Sequence, residues 1–289
     1  GMARIAVNDV EEALQLRDTP ADAQGWTPFG GGDAGVRGST DVRDSAGAAA
    51  RMWAQIQGAS WDVCAYLMLD PEVRQEWDTN YGAYDILSSA CDQPVESGQS
   101  PGSSGDAAAG ADRLSSASHM EVEGVGGRVE TIYCRMNSPF PMLLAHRDYV
   151  QLRFAGRLPG GGMVILLKST AHHTRPPTDA AVRAETHLGC YLLQPAPDGG
   201  TRMFMGSRGD QKQPVQPPQW VMTRMLQAGP PKWLAGLEAK ARGLCDSERE
   251  KARAYCEQVP WLQEGPLVQR LQASGAGSGA DAVGGAVGS

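Results

Sequence analysis

The sequence lacks several features that define other classes of protein. Among its 289 residues no uninterrupted apolar run reaches 18, the length that a membrane-spanning helix needs. The N-terminus has no charged-then-apolar signal pattern, and Gly1 before Met2 resembles the remnant of an expression tag. These absences favour a soluble, cytoplasmic protein, which the basic segment at residues 202–242 would make peripheral to membranes.

Positive charge is also scarce. The chain has 26 basic and 33 acidic residues, a net charge of -7 and a pI near 5.3, which is the opposite of the balance typical of nucleic-acid binders. We therefore expect no nucleic-acid partner. Residues 202–242 depart from this average, with seven basic and two acidic side chains. This segment is predicted to make transient contact with an anionic membrane, with Trp220 and Trp233 at head-group level; the alternative is a solvated helix face with buried tryptophans.

Motifs for metal binding and catalysis are missing too. The six cysteines contain no CxxC pair, and the five histidines are not placed at metal-ligand spacing. No GxSxG, HExxH or P-loop motif occurs. We expect reduced thiols, no metal, no cofactor, no catalytic residue and no enzymatic activity.

Gly, Ala and Ser dominate three segments, at residues 30–38, 92–118 and 273–289. Such segments have little to bury, so the second is predicted to be a flexible insert and the third a disordered tail. One domain over residues 5–256 remains, followed by an extension over residues 257–289.

The hydrophobic pattern changes along the chain. A capped helix is predicted near residues 8–16, a strand-like passage that opens at Gly25-Trp26, a strand at 50–57, and two short helices at 61–69 and 71–77. Strands linked by short turns are predicted at residues 128–136, 148–154, 163–169, 182–194 and 201–207, which indicates an antiparallel meander. Spacings of three and four then predict an amphipathic C-terminal helix, interrupted at Pro230-Pro231. The fold class is α+β.

Six passages, taken together and in order, resemble the START family of lipid-transfer domains. They are DPEVRQEWD at 70–78, SPFP at 138–141, RDYV at 147–150, VRAE at 182–185, PQWV at 218–221 and PPKWL at 230–234. The PFPM sequence at 139–142, leading to RDY at 147–149, is closest to the phosphatidylcholine transfer protein branch, although residues 143–146 lengthen the link.

The resemblance implies a helix-grip fold, in which a curved antiparallel sheet wraps around the long C-terminal helix and encloses one lipid. It further implies intermembrane transfer of a phospholipid, or of a sterol, by a monomer gated by that helix. Two alternatives stay open, a lipid-sensing adaptor and a domain associated with a hydrolase or thioesterase.

The resemblance also implies a head-group site. Arg74 matches the position that contacts the lipid phosphate, and Asp78 matches its acidic neighbour; the alternative for this pair is an ordinary surface ion pair. Three aromatic side chains hold choline in the choline-binding branch. Here Tyr149 keeps one, while the other two positions are Cys134 and His187. Choline selectivity is therefore doubtful.

The lipid tails need an apolar lining, which we predict from the meander and the last helix. A filled core is the alternative use of the same side chains. The predicted lining residues are Ile132, Val150, Leu152, Val164, Leu166, Leu192, Met203, Val221, Met225 and Leu234.

Overall fold

The computed structural model describes residues 5–20, 23, 25–30, 36–41, 48–89, 126–138, 145–212 and 219–273, without the side chains of residues 29, 30, 36, 89, 219 and 221–228. The helices are α1 (Val7–Asp18), α2 (Trp61–Leu69), α3 (Pro71–Trp77), α4 (Gln219–Gly243), α5 (Asp246–Glu257) and α6 (Pro266–Gln272). The strands are β1 (Thr27–Gly30), β2 (Val36–Asp41), β3 (Ala49–Ile56), β4 (Tyr81–Ser89), β5 (Arg128–Met136), β6 (Arg147–Arg157), β7 (Met163–Ser169), β8 (Val182–Arg183), β9 (Glu185–Pro195) and β10 (Thr201–Asp210).

The strands form one open sheet in the order β1-β2-β3-β10-β9-β7-β6-β5-β4, and β8 pairs with β6 in parallel. Every other pairing is antiparallel. The predicted meander runs from β5 to β10, and the pairing of β10 with β3 joins it to the N-terminal strands. This sheet and the long helix α4 confirm the predicted α+β helix-grip fold.

Both faces of the sheet are covered by helices. We call the pocket face the one that carries Gln151, Arg153 and Ile165, and the outer face the one that carries Leu152, Phe154 and Leu166. Residues 147–156 of β6 are buried at every position, on both faces. A strand that is buried on both sides has no polar face for the sequence pattern to reveal.

Helices α2, α4 and α5 cover the pocket face. Helix α2 is apolar over most of its surface, and its residues from Val63 to Leu69 are all buried. Leu237 and Ala241 anchor the second half of α4 in the same core, which also contains Met52 of β3. Helix α4 continues through Pro230 and Pro231, so the predicted interruption there is wrong, although the missing N–H groups leave carbonyls of the preceding turn without their helical partner.

The outer face is covered by α1 and α6. A guanidinium fixes α1 to the sheet: Arg51 of β3 is fully buried and donates to the Ser39 hydroxyl at 2.7 Å and to the carbonyls of Leu16 at 3.0 Å and Thr19 at 2.5 Å. Its guanidinium carbon lies 4.0 Å from the Trp26 ring centroid. Burial lowers the pKa of Arg51 to about 10.

The predicted elements are present, with small shifts at their ends. The prediction omitted β2, β4, α5 and α6, and it merged β8 with β9. The insert at residues 92–118 and the tail from residue 274 onward lie outside the described residues. No helix in the described ranges is both long and apolar enough to span a membrane.

Candidate functional site

An internal cavity lies on the pocket face. Its volume is about 20 Å³, enough for one water molecule. Polar and apolar side chains share the wall. The lining residues are Met68, Arg74, Tyr81, Tyr84, Ile132, Gln151, Arg153, Ile165, Leu167 and Tyr191.

The short helix α3 positions Arg74 in this wall. Asp70 caps the helix by accepting from the backbone N–H groups of Glu72 and Val73 at 3.1 and 3.0 Å, and Pro71 occupies its first turn. Arg74 and Asp78 stand four residues apart, so they lie on the same side of the helix end.

Arg74 and Asp78 form a buried ion pair. The Nη2 atom of Arg74 lies 2.9 Å from Oδ2 of Asp78, and both residues are almost fully buried. The same carboxylate oxygen accepts from the indole N–H of Trp233 on α4 at 2.7 Å. The pair therefore ties α3 to the C-terminal helix, and the expectation of an ordinary surface pair is wrong.

Aromatic rings surround the Arg74 guanidinium. Its central carbon lies 5.0 Å from the Trp77 ring centroid, 5.2 Å from Tyr81, 6.0 Å from Tyr84 and 5.4 Å from Trp233. Burial lowers the pKa of Arg74, but Tyr81 and Asp78 raise it, and the net shift is upward. The guanidinium therefore stays charged inside the protein.

A second buried arginine lines the same cavity. Arg153 of β6 is 1% exposed and donates to Oε2 of Glu130 from Nε at 3.0 Å and from Nη2 at 2.5 Å. Its Nη1 atom donates to the Tyr84 hydroxyl at 2.9 Å. Glu130 also accepts from Arg128, so one carboxylate serves two guanidinium groups. Burial lowers the pKa of Arg153, whereas Tyr84 and Glu130 raise it, with a net upward shift.

Comparison with protein families identifies the domain. A model of the START domain matches residues 8–245, which is most of the chain. The chain belongs to the START domain family. This START domain includes the helices α1 to α4 and the whole sheet, while α5 and α6 follow the matched region.

Curated relatives match only part of the START domain. Homeobox-leucine zipper protein HOX33 of Oryza sativa subsp. indica is 34% identical over 91 residues, which are 30% of this chain and 10% of that protein. Homeobox-leucine zipper protein ATHB-14 of Arabidopsis thaliana is 37% identical over 82 residues, 27% of this chain and 10% of that protein. The match thus spans a tenth of these relatives' length.

Solved structures share the fold at low sequence identity. Human STARD10 superposes with a TM-score of 0.63 at 17% identity, covering 89% of this chain and 90% of that one. Human StAR-related lipid transfer protein 5 superposes with a TM-score of 0.60 at 18% identity, covering 81% of this chain and 93% of that one. These structures confirm the START fold.

The predicted head-group residues lie in two places. Cys134 and Tyr149 are buried with Ile132 and Tyr84, close to the Arg74 cavity. Tyr149 donates its hydroxyl to Oε1 of Gln211 at 2.9 Å, and burial raises its pKa to about 12. His187 is different, because its side chain is exposed near the start of β9. The structure therefore brings four of the five predicted residues together and leaves His187 at the surface.

Four predicted lining residues lie on the other side of the sheet. Leu152, Val164, Leu166 and Leu192 belong to the outer-face core. Alternation along β6 places Val150 on that face as well, since its neighbour Gln151 lines the cavity. These five residues were predicted to line the lipid cavity, but they face away from the Arg74 cavity. The reason is that a shift of one residue exchanges the two faces of a strand.

The other lining predictions have mixed outcomes. Ile132 lines the cavity, and Met203 and Leu234 belong to the core beneath α4. The side chains of Val221 and Met225 lie outside the described residues. A lipid-sized hollow therefore stays a prediction, because this half of α4 would form part of its wall.

Sequence reasoning missed Arg153, Glu130 and the tyrosines of the cavity. Arg153 stands between Leu152 and Phe154, near the middle of a strand, with an apolar side chain on either side of it. A charged side chain at the centre of such a strand is a signal of a buried, paired group. Glu130 lies directly opposite Arg153 in the β5–β6 register, which only the strand pairing shows.

Thiol reactivity tests the burial of the cysteines. Burial raises the pKa of Cys64, Cys134, Cys190 and Cys256 to about 12, whereas Cys245 is exposed. In a Cys91→Ser background we expect one thiol to react with a maleimide at pH 8, and four to react about a thousandfold more slowly, because only the thiolate is nucleophilic.

Mass spectrometry of labelled peptides checks this result. Cys245→Ser should remove the fast phase, and urea should expose the remaining thiols. Rapid labelling of two or more cysteines in the folded Cys91→Ser protein would contradict the buried assignment.

Proposed function

We propose that this START domain binds one lipid between the pocket face and α4, and carries it between membranes as a monomer. The observation that carries the proposal is the polar cluster around Arg74 and Arg153, which is buried on the pocket face beneath α4. The name of a related structure, human StAR-related lipid transfer protein 5, supports it.

The chemistry of a lipid explains why an enclosed site is needed. A two-chain phospholipid carries about thirty methylenes, and each costs about 0.8 kcal/mol when exposed to water. Ligand pockets of drug size measure about 300–1,000 Å³, against the 20 Å³ of the Arg74 cavity. We propose that lipid enters when α4 moves away from the sheet, which is the gating step.

The head group would lie at the polar end of this space. A buried phosphate requires a cation, and the planar fork of arginine fits it well. Arg74 is the proposed contact, with Asp78 holding its orientation. The likeness to the phosphatidylcholine transfer protein branch supports a phospholipid, and a sterol is the alternative ligand.

The membrane contact would start at the exposed end of α4. Trp220 is 70% exposed there, and Lys232 and Arg242 are exposed farther along the helix. Trp233 is buried against Asp78, so its expected place at head-group level is wrong. We place the protein in the cytoplasm, peripheral to membranes.

Binding is proposed without catalysis. The described cysteines near the pocket have raised pKa values, and the part of the chain that the structure describes holds no cluster of metal-ligating side chains. A lipid-sensing adaptor remains the second candidate, because the curated relatives are named homeobox-leucine zipper proteins.

Transfer between vesicles tests the proposal. The protein should move a fluorescent phospholipid from donor to acceptor vesicles over many cycles, and native mass spectrometry should detect one lipid per monomer. A sensor would bind lipid without repeated transfer. Absence of both binding and transfer would refute the proposal.

A tryptophan variant tests the membrane contact in the same assay. Trp220→Ala should slow transfer from anionic vesicles about tenfold, because the loss of about 60 Å² of apolar contact corresponds to about 1.5 kcal/mol. Trp261→Ala is the matched control, since Trp261 is 50% exposed but lies beyond α5. Equal slowing in both variants would count against α4 as the contact.

A further inference from the structure

The head-group end of the pocket already contains a bound cation, which is the protein's own Arg74. Four aromatic rings stand 5.0–6.0 Å from its guanidinium carbon, on α3, β4 and α4. Rings at this distance are also how proteins hold a quaternary ammonium group. Because Arg74 fills this aromatic box, a ligand's ammonium group has no room in it.

The charges around the cavity are unequal. Among the described residues of this cluster, Arg74 and Arg153 line the cavity and are balanced by Asp78 and Glu130; the third positive charge is Arg128, which shares Glu130 from outside the lining and is 17% exposed. The Tyr84 ring is the common neighbour of both cavity arginines, 6.0 Å from the guanidinium carbon of Arg74 and 5.9 Å from that of Arg153. The cluster therefore has an excess of one positive charge.

The remaining polar groups of the cavity wall are hydrogen-bond donors, so they suit a ligand group that accepts hydrogen bonds. Arginine offers only donors, and a neutral tyrosine hydroxyl that accepts from Arg153 keeps its own proton to donate. The phenols of Tyr81 and Tyr191 have raised pKa values because they are buried, so they stay protonated at neutral pH. An anionic oxygen group would satisfy these donors and neutralise the excess charge.

We propose that this pocket selects a lipid whose head group carries one negative charge and no quaternary ammonium, a phosphodiester or a carboxylate bound beside Arg74 and Arg153. The inference rests on the proposed lipid-binding function and narrows its ligand class. It sets the head-group preference apart from that of a choline carrier.

The test compares lipids that carry the same labelled acyl chain and differ in their head group. Pyrene-labelled phosphatidylglycerol, phosphatidylcholine and fatty acid are placed in turn, at the same low fraction, in vesicles of one fixed composition. Attraction of the protein to the vesicle surface is then constant. We expect phosphatidylglycerol or the fatty acid to be bound and transferred at least about tenfold better than phosphatidylcholine, which corresponds to about 1.4 kcal/mol.

Two double variants separate the site from the surface. Arg74→Met with Asp78→Asn removes both charges of the buried pair. This double variant should bring the ratio of anionic-lipid transfer to phosphatidylcholine transfer close to one. Arg175→Met with Asp85→Asn makes the same change at an exposed pair, whose Nη2–Oδ2 distance is 2.8 Å, and should keep the preference. Circular dichroism checks that both variants fold.

Each outcome has one meaning. Equal transfer of all three probes by the unmodified protein overturns this inference and leaves the proposed function intact. Absence of transfer for every probe is evidence against the proposed function itself. Loss of probe binding in millimolar inorganic phosphate would show that a free anion occupies the site, and would also overturn the inference.

Discussion

Asp78→Asn is expected to lower the free energy of unfolding by about 3–5 kcal/mol, because it leaves the buried Arg74 charge without a counter-ion. Asp78 accepts from Arg74 at 2.9 Å and from the Trp233 indole at 2.7 Å. Water cannot replace the lost charge at a site this deeply buried. Urea unfolding at pH 7, followed by tryptophan fluorescence, measures the change.

Asp85→Asn is the matched control. Asp85 pairs with Arg175 at 2.8 Å, but both side chains are more than 40% exposed. An exposed pair contributes about 0–1 kcal/mol, so this variant should remain close to the unmodified protein. Addition of Arg74→Met to Asp78→Asn should recover much of the loss. Similar losses in the two single variants would show that burial of the Arg74 pair is not what makes Asp78 important.

Glu130→Gln should destabilise the protein by a similar amount, about 3–5 kcal/mol, since it removes the only carboxylate that the described residues place on Arg153. Glu130 is itself buried, and Arg128 shares it. Two guanidinium groups would therefore lose their partner at once. The same urea titration measures the effect.

Glu185→Gln makes the identical chemical change at the surface. Glu185 is about half exposed and lies 3.3 Å from Lys212. We expect a loss below about 1 kcal/mol there. Arg128→Met should have an intermediate effect, because Arg128 is partly solvated and Arg153 keeps its carboxylate. A Glu130→Gln protein as stable as Glu185→Gln would contradict the paired role of Glu130.

Local sequence patterns predicted most of the elements because their causes are local. Asp70-Pro71 caps and starts α3, and the apolar sequence of α2 matches its burial. β4 was missed, although Tyr81 and Tyr84 lie on it, because its sequence contains glycine, aspartate and serine. Helix α5 was missed for another reason, since it is strongly charged and buries only Ala252 and Cys256, with Tyr255 packed on Tyr66.

The pocket lining was harder to predict than the strands. Burial of β6 at residues 147–156 is complete, so apolar side chains occur at both odd and even positions. A pattern of this kind indicates a strand but gives no sign of which face carries the ligand. The outer-face position of Leu152 and the pocket-face position of Arg153 follow only from where α1 and α4 pack.

Local patterns were enough to predict the α+β class and the four-residue spacing that places Arg74 beside Asp78, and the order of motifs was enough for the resemblance to the START family, because each depends on residues close together in the chain or on their order along it. The tertiary structure alone decided that this pair is buried, that four rings surround Arg74, and that Arg153, paired with Glu130, lines the same cavity. Those facts depend on contacts between residues as far apart as Asp78 and Trp233, and such contacts arise from the packing of whole elements, which no local pattern records.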